Sequence, residues 1–128
     1  MQWFLNCIQY NYYNFNGRAR RKEYWMFVLY YTIFQVLAII LDNILGSDFK
    51  VASGYYEVSM GYGWICLLFW ILLFLPYLSV GVRRLHDINK SGLFLLVSVI
   101  PIIGGIWIII LLVKDGDKEK NIYGHPIK

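Results

Sequence analysis

Residues 58–82 read VSMGYGWICLLFWILLFLPYLSVGV, 25 positions without a charged side chain. A helix rises ~1.5 Å per residue, so ~20 residues cover a hydrocarbon core of ~30 Å, and this run is long enough to cross a bilayer. On either side, residues 24–41 and 91–113 are also uncharged, 18 and 23 positions long. Charged and turn-forming residues separate the three. The pattern predicts an all-α membrane protein with about three transmembrane helices.

Composition agrees. With 59% hydrophobic, 19% aromatic and only 16% charged residues in 128 positions, too little polar surface remains to cover a soluble globule. The net charge of +4 does not point to nucleic acid, because the basic residues flank apolar runs and form no stripe with stacking aromatics. Anionic lipid is the expected counter-charge. Cys7 and Cys66 are placed neither for a mutual disulfide nor in paired metal-ligand spacing. No cofactor and no metal are expected.

A cleaved signal peptide is not expected, since the first basic residues follow Trp3, Phe4, Leu5 and Ile8 instead of preceding them. Residues 1–16 read as an interfacial amphipathic helix: Phe4, Ile8, Tyr12 and Phe15 recur on one side, with Gln2, Asn6, Gln9 and Tyr13 on another. The competing reading is that these side chains pack on the membrane helices. Beyond them the chain divides into a first span at 24–45, a second at 60–82, a third apolar segment at 92–113 and a polar tail at 114–128, all in one membrane domain.

Basic residues set orientation. Arg18, Arg20, Arg21 and Lys22 precede the first run, Lys50 follows it, and Arg83, Arg84 and Lys90 separate the second from the third. The N-terminus and residues 83–90 are therefore expected in the cytoplasm, and the loop at 42–57, with Asn43, Gly46, Ser47, Ser53 and Gly54, outside. If the third run crosses, Lys114, Lys118, Lys120 and Lys128 land outside, against the rule. Pro101, Gly104 and Gly105 interrupt that run, as a kink in a full span or as the tip of a re-entrant hairpin. The full span is favoured, because an exposed hairpin turn needs burial in protein. Pro76 reads as a plain kink in the second span.

Three polar groupings stand against this background. In Gly17-Arg18-Ala19-Arg20-Arg21-Lys22-Glu23-Tyr24-Trp25, Gly17 supplies a turn, Arg20 and Glu23 are spaced to pair on a helix, and Tyr24 and Trp25 suit an interfacial belt. A topology anchor is the favoured reading. In Arg83-Arg84-Leu85-His86-Asp87, Asp87 lies four and three residues from the two arginines, so it can neutralise one and orient the other toward a lipid phosphate or a partner's carboxylate. His86 reads as a hydrogen-bonded structural residue. The tail, with Asn121, Tyr123, Gly124 and Pro126, reads as a turn after a charged, mobile stretch.

These two motifs, Ser91-Gly92 after the second, the Pro101-Ile102-Ile103-Gly104 element and the Asn121-x-Tyr-Gly tail together resemble the small bacterial inner-membrane family called domain of unknown function 805. The resemblance covers nearly the whole chain, with four motifs in order. It departs at residues 114–120, where the family usually has a glycine- and proline-rich turn. It implies a multi-pass protein of the bacterial cytoplasmic (inner) membrane and brings no agreed activity, cofactor or catalytic residue.

The leading functional reading is a non-enzymatic module that binds anionic phospholipid or another membrane protein through Arg18, Arg20, Arg21, Lys22, Arg83, Arg84 and Asp87. The alternative is a small oligomeric transporter or channel. Transport sites are marked by ionisable residues at membrane depth, and the polar residues within the runs are Thr32, Gln35, Ser79 and Ser98. A homo-oligomer is left open. Glu23, His86, Asp87 and His125 show no nucleophile–base spacing, and no enzyme is expected.

Overall fold

A computed structural model describes residues 2–126; Met1, Ile127 and Lys128, at the two ends of the expected interfacial helix and tail, lie outside the described residues. The elements are α1 (Gln2–Gln9), α2 (Arg21–Leu45), β1 (Asp48–Ser53), β2 (Tyr56–Gly63), α3 (Trp64–Asp87), a 3₁₀ helix (Gly92–Val99) and α4 (Ile103–Val113). Among the described residues two helices, α2 and α3, are long and apolar enough to cross a membrane, with mean hydropathy 1.9 and 2.4. Only 17% and 28% of their apolar windows are buried. Helices this hydrophobic and this bare suit a lipid solvent, not a soluble core.

Two compact units divide the chain, Met1–Val28 with Leu75–Lys128, and Leu29–Phe74. In the second unit, the expected loop at 42–57 is replaced by structure, which corrects the all-α assignment. Asp42 belongs to α2, and β1 and β2 form an antiparallel hairpin in which Ser53 pairs with Tyr56. Gly54 opens its two-residue turn with φ +63, a conformation that glycine adopts without strain. The missed signals were this glycine and the apolar–polar alternation in Tyr56–Gly63. They also move the start of the second helix from 60 to Trp64.

Asp42 caps that helix. Its carboxylate accepts the N–H groups of Gly63, Ile65 and Cys66 at 3.0, 3.1 and 2.8 Å and the Ser47 hydroxyl at 2.6 Å, satisfying donors that the first turn of α3 leaves open. A Cβ at Gly63 would run into the Ser47 carbonyl. Within the same unit the Cys66 thiol donates to Gln35 Oε1 at 3.2 Å and Phe34 stacks on Phe69. Gln35 thus bonds across to the neighbouring helix, as its place in an apolar run requires.

In the first unit, α1 stops at Gln9, short of the expected 1–16. Phe4 is buried and stacks on Phe27 at 5.2 Å, which favours packing over a free interfacial face. The following segment is held by Ser79, whose hydroxyl lies 2.9 and 2.6 Å from the carbonyls of Asn11 and Asn14. Further along, α3 runs through Pro76, whose ring is buried.

The favoured full span over 92–113 is not formed. The eight-residue 3₁₀ helix and the eleven-residue α4 are each ~16 Å long at ~2.0 and ~1.5 Å per residue, about half a hydrocarbon core. Between them Pro101 and Ile102 turn the chain, Ile102 at φ +64. The two halves approach so closely that a Cβ at Gly104 would strike the Val97 carbonyl, whereas Gly105 faces open space. A straight helix would carry Val113 ~30 Å from Gly92. Here the chain returns to the end of α3, where Arg84 Nε reaches the Leu112 carbonyl at 3.1 Å and Asp117 N–H donates to the Asp87 carbonyl at 2.8 Å.

Candidate functional site

The last turn of α3 leaves carbonyls without helical partners, and the sequence places Arg83, Arg84, His86 and Asp87 there. The turn at Gly17, with φ +84, brings the preceding segment alongside. Ala19 N–H donates to the Arg83 carbonyl at 2.9 Å, and His86 Nδ1 lies 3.1 Å from the Gly17 carbonyl.

Asp87 is the centre. Arg18 Nε donates to its Oδ1 at 2.8 Å and Arg84 Nη1 to its Oδ2 at 2.6 Å, all three side chains buried. A carboxylate shared by two guanidiniums accepts a charge-assisted bond on each oxygen and is fixed in direction. Arg18 commits its remaining donors to four carbonyls: Nη1 to Glu119 and Gly124 at 3.0 and 3.3 Å, Nη2 to Asp87 and Asp117 at 3.2 and 2.5 Å. A guanidinium has five N–H groups, and here every one is used. Arg84, fully buried, also donates to the carbonyls of Leu112 and Lys114, so a cation closes the C-terminal end of α4.

Arg83 does not join this group. Its Nη1 donates to Glu23 Oε1 at 2.8 Å, and its Nη2 lies 3.7 Å from the sulfur of Cys7, whose thiol faces the same Glu23 oxygen at 3.6 Å. The expected Arg20–Glu23 pair is thereby replaced, because Glu23 points into the protein and takes the better-buried arginine. Arg20 instead lies over the Trp3 ring at 5.9 Å. Burial, and secondarily the Glu23 charge, push the Cys7 thiol up to about 12.

The expected preorganised anion site at Arg83, Arg84 and Asp87 is therefore filled by the protein's own groups. Its three members serve two networks, and neither arginine presents its fork outward. Arg21 and Lys22 are exposed, Arg21 pairing loosely with Asp115 at 3.3 Å. Trp25, partly exposed, meets Tyr24 edge-on.

The tail is better ordered than its charge suggests. Tyr123 stacks on His86 at 3.8 Å, Asn121 Nδ2 donates to the His86 carbonyl at 2.9 Å, and Asn121 and Gly124 exchange backbone bonds. Gly116 passes so near Asp87 that a Cβ would meet its carboxylate. These partners, with Glu23 and Cys7, were missed because sequence separation hid them: Arg18 and Asp87 are 69 positions apart, Arg18 and Gly124 106. The spare motif residues Asn121 and Tyr123 were the available signal.

A family model described as Protein of unknown function (DUF805) matches residues 12–125. Inner membrane protein YhaH of Escherichia coli (strain K12) is 39% identical over 124 residues, spanning 97% of this chain and 94% of its own. Inner membrane protein YhaI of the same strain is 35% identical over 128 residues, spanning 100% of this chain and 97% of its own. No solved structure matches.

Proposed function

Because this chain belongs to the DUF805 family, whose matched relatives are inner membrane proteins, we propose that it is a non-enzymatic inner-membrane module meeting anionic lipid at its cytoplasmic face. In this reading α2 and α3 cross the bilayer, the segment Gly92–Val113 enters and leaves by one face, and the β1–β2 hairpin lies outside.

One observation carries it. Eleven of the twelve Lys and Arg residues fall in the sequence ranges of the first unit, and Lys50 alone falls in the second. A returning hairpin puts Lys114, Lys118 and Lys120 on the side of the other basic residues, and the conflict with the positive-inside rule disappears. Since Arg18, Arg83 and Arg84 are buried and paired internally, the lipid-facing cations are the exposed Arg21, Lys22 and Lys90 with Lys114, Lys118 and Lys120. Each adds about 1 kcal/mol near an anionic surface.

The non-enzymatic part rests on saturation. Asp87 and Glu23 are both paired with arginine, and a thiol raised to about 12 is the reverse of an activated nucleophile. The test is to purify the full chain in mild detergent and identify the phospholipid that stays bound. Enrichment of phosphatidylglycerol or cardiolipin over phosphatidylethanolamine, reduced in the variant R21Q/K22Q, is expected. Retention of zwitterionic lipid alone overturns the reading.

A further inference from the structure

A cavity of about 350 Å³ opens in the first unit between residues 18–21, the tail at 116–118 and Pro126. Arg18, Arg20, Arg21 and Lys118 line it, against Asp87 and Asp117. The charges are not equally available. Arg18 has no donor left and Asp87 is shared by two arginines, whereas the exposed Asp117 accepts only a neutral amide, from Asn121 at 3.3 Å, and stays one negative charge against the three remaining cations. The groups with donors to spare are Arg20, Arg21 and Lys118.

Arg20 is held in place by Trp3, yet its Nε is buried with no hydrogen-bond partner. A buried donor in that state costs free energy unless an acceptor arrives. Arg21 has one exposed contact to Asp115, a pair of little worth, and Lys118 makes no ion pair among the described residues. Arg21 also opens α2, so the positive end of a 25-residue helix dipole adds to the three cations.

We infer that this cavity is a binding site for a phosphate group, gripped by the Arg20 and Arg21 forks from one wall and the Lys118 ammonium from the other. A tetrahedral anion with acceptors in several directions suits donors converging from separate segments, and arginine forks match its oxygens in pairs. The inference deepens the reading of a lipid-facing basic surface and rests on it for the source: a phospholipid headgroup supplies the phosphate, and free phosphate shares the same chemistry. The tail then does more than fold back, because Lys118 completes the site.

The full chain is placed in nanodiscs containing phosphatidylglycerol or phosphatidylcholine, and retained lipid is counted by native mass spectrometry. In parallel, inorganic phosphate is titrated against the thermal midpoint in detergent. R20Q and K118Q are compared with K50Q, which removes the same charge elsewhere; Lys118 is exposed, so K118Q leaves the fold intact. Phosphatidylglycerol retention is expected to fall about tenfold in R20Q and K118Q and to stay unchanged in K50Q. If the wild type retains no anionic lipid but inorganic phosphate raises its midpoint and not that of K118Q, the site stands with free phosphate as its ligand and the lipid-surface reading falls. An equal loss in all three variants overturns the site and leaves only general attraction. Recognition of neither ligand overturns both.

Discussion

Arg18 donates through Nε to Asp87 Oδ1 at 2.8 Å across 69 residues of sequence, joining the segment before α2 to the end of α3. Asp87→Asn keeps the shape and removes the charge, leaving Arg18 and Arg84 buried without their counter-ion. Breaking such a network from one side costs about 3–5 kcal/mol. Thermal unfolding in detergent should show a clear drop for D87N, with the tail becoming susceptible to protease because Arg18 no longer holds its carbonyls. An unchanged midpoint and a resistant tail would mean that the network contributes little.

The Cys7 thiol gives a pH-dependent test. Its pKa is raised from the ordinary 9.0 to about 12, first by burial and then by Glu23, so folding favours the neutral thiol. The associated stability is complete below the unfolded value of about 9 and is lost as pH climbs from there toward about 12. In a Cys66→Ser background, alkylation of the folded protein should stay slow up to pH about 9 and accelerate on denaturation. Rapid labelling of the folded chain at neutral pH would contradict this environment.

Asp42 makes a separate prediction in the second unit. Its carboxylate serves three N–H groups at the start of α3, so Asp42→Ala strands them and should cost roughly 2 kcal/mol or more, whereas Asp42→Asn, which keeps an acceptor oxygen, costs less. Amide exchange at Ile65 and Cys66 reports the loss directly. Equal effects of the two changes would show that charge near the helix end matters more than the hydrogen bonds.

The sequence made α2 and α3 legible because bilayer-length apolar runs carry their own signal, whatever they pack against. The motif Arg83–Asp87 was legible as a charged group, but its pairing was not: spacing within one helix favours neighbours three or four apart, and Arg18, from a distant segment, took the second oxygen of Asp87. Glu23 was drawn to Arg83 for the same reason. The hairpin of the third segment was open from Pro101 and Gly104. What folds this segment back, the approach of Gly104 to Val97 and the bonds from Arg84 to the carbonyls of Leu112 and Lys114, is tertiary and leaves no periodicity. The strand pair, by contrast, was marked by Gly54 and by the alternation in Tyr56–Gly63, a signal that the neighbouring apolar run of the second span masked.

The side on which the tail lies separates a third crossing from a returning hairpin. Single cysteines are placed at three exposed positions, Tyr55, Lys90 and Lys120, in a chain lacking Cys7 and Cys66, and probed on whole cells with a membrane-impermeant thiol reagent after permeabilising any outer membrane. Position 55 should label, and positions 90 and 120 should label only after the inner membrane is opened. The two tests are independent, because positions 55 and 90 report orientation while position 120 reports the hairpin. Labelling at 90 but not at 55 would invert the protein. Labelling at both 55 and 120 would restore a third crossing, and the bonds from Arg84 to the carbonyls of Leu112 and Lys114 would have to be given up, since one buried guanidinium cannot hold a chain that ends on the far side of a ~30 Å core.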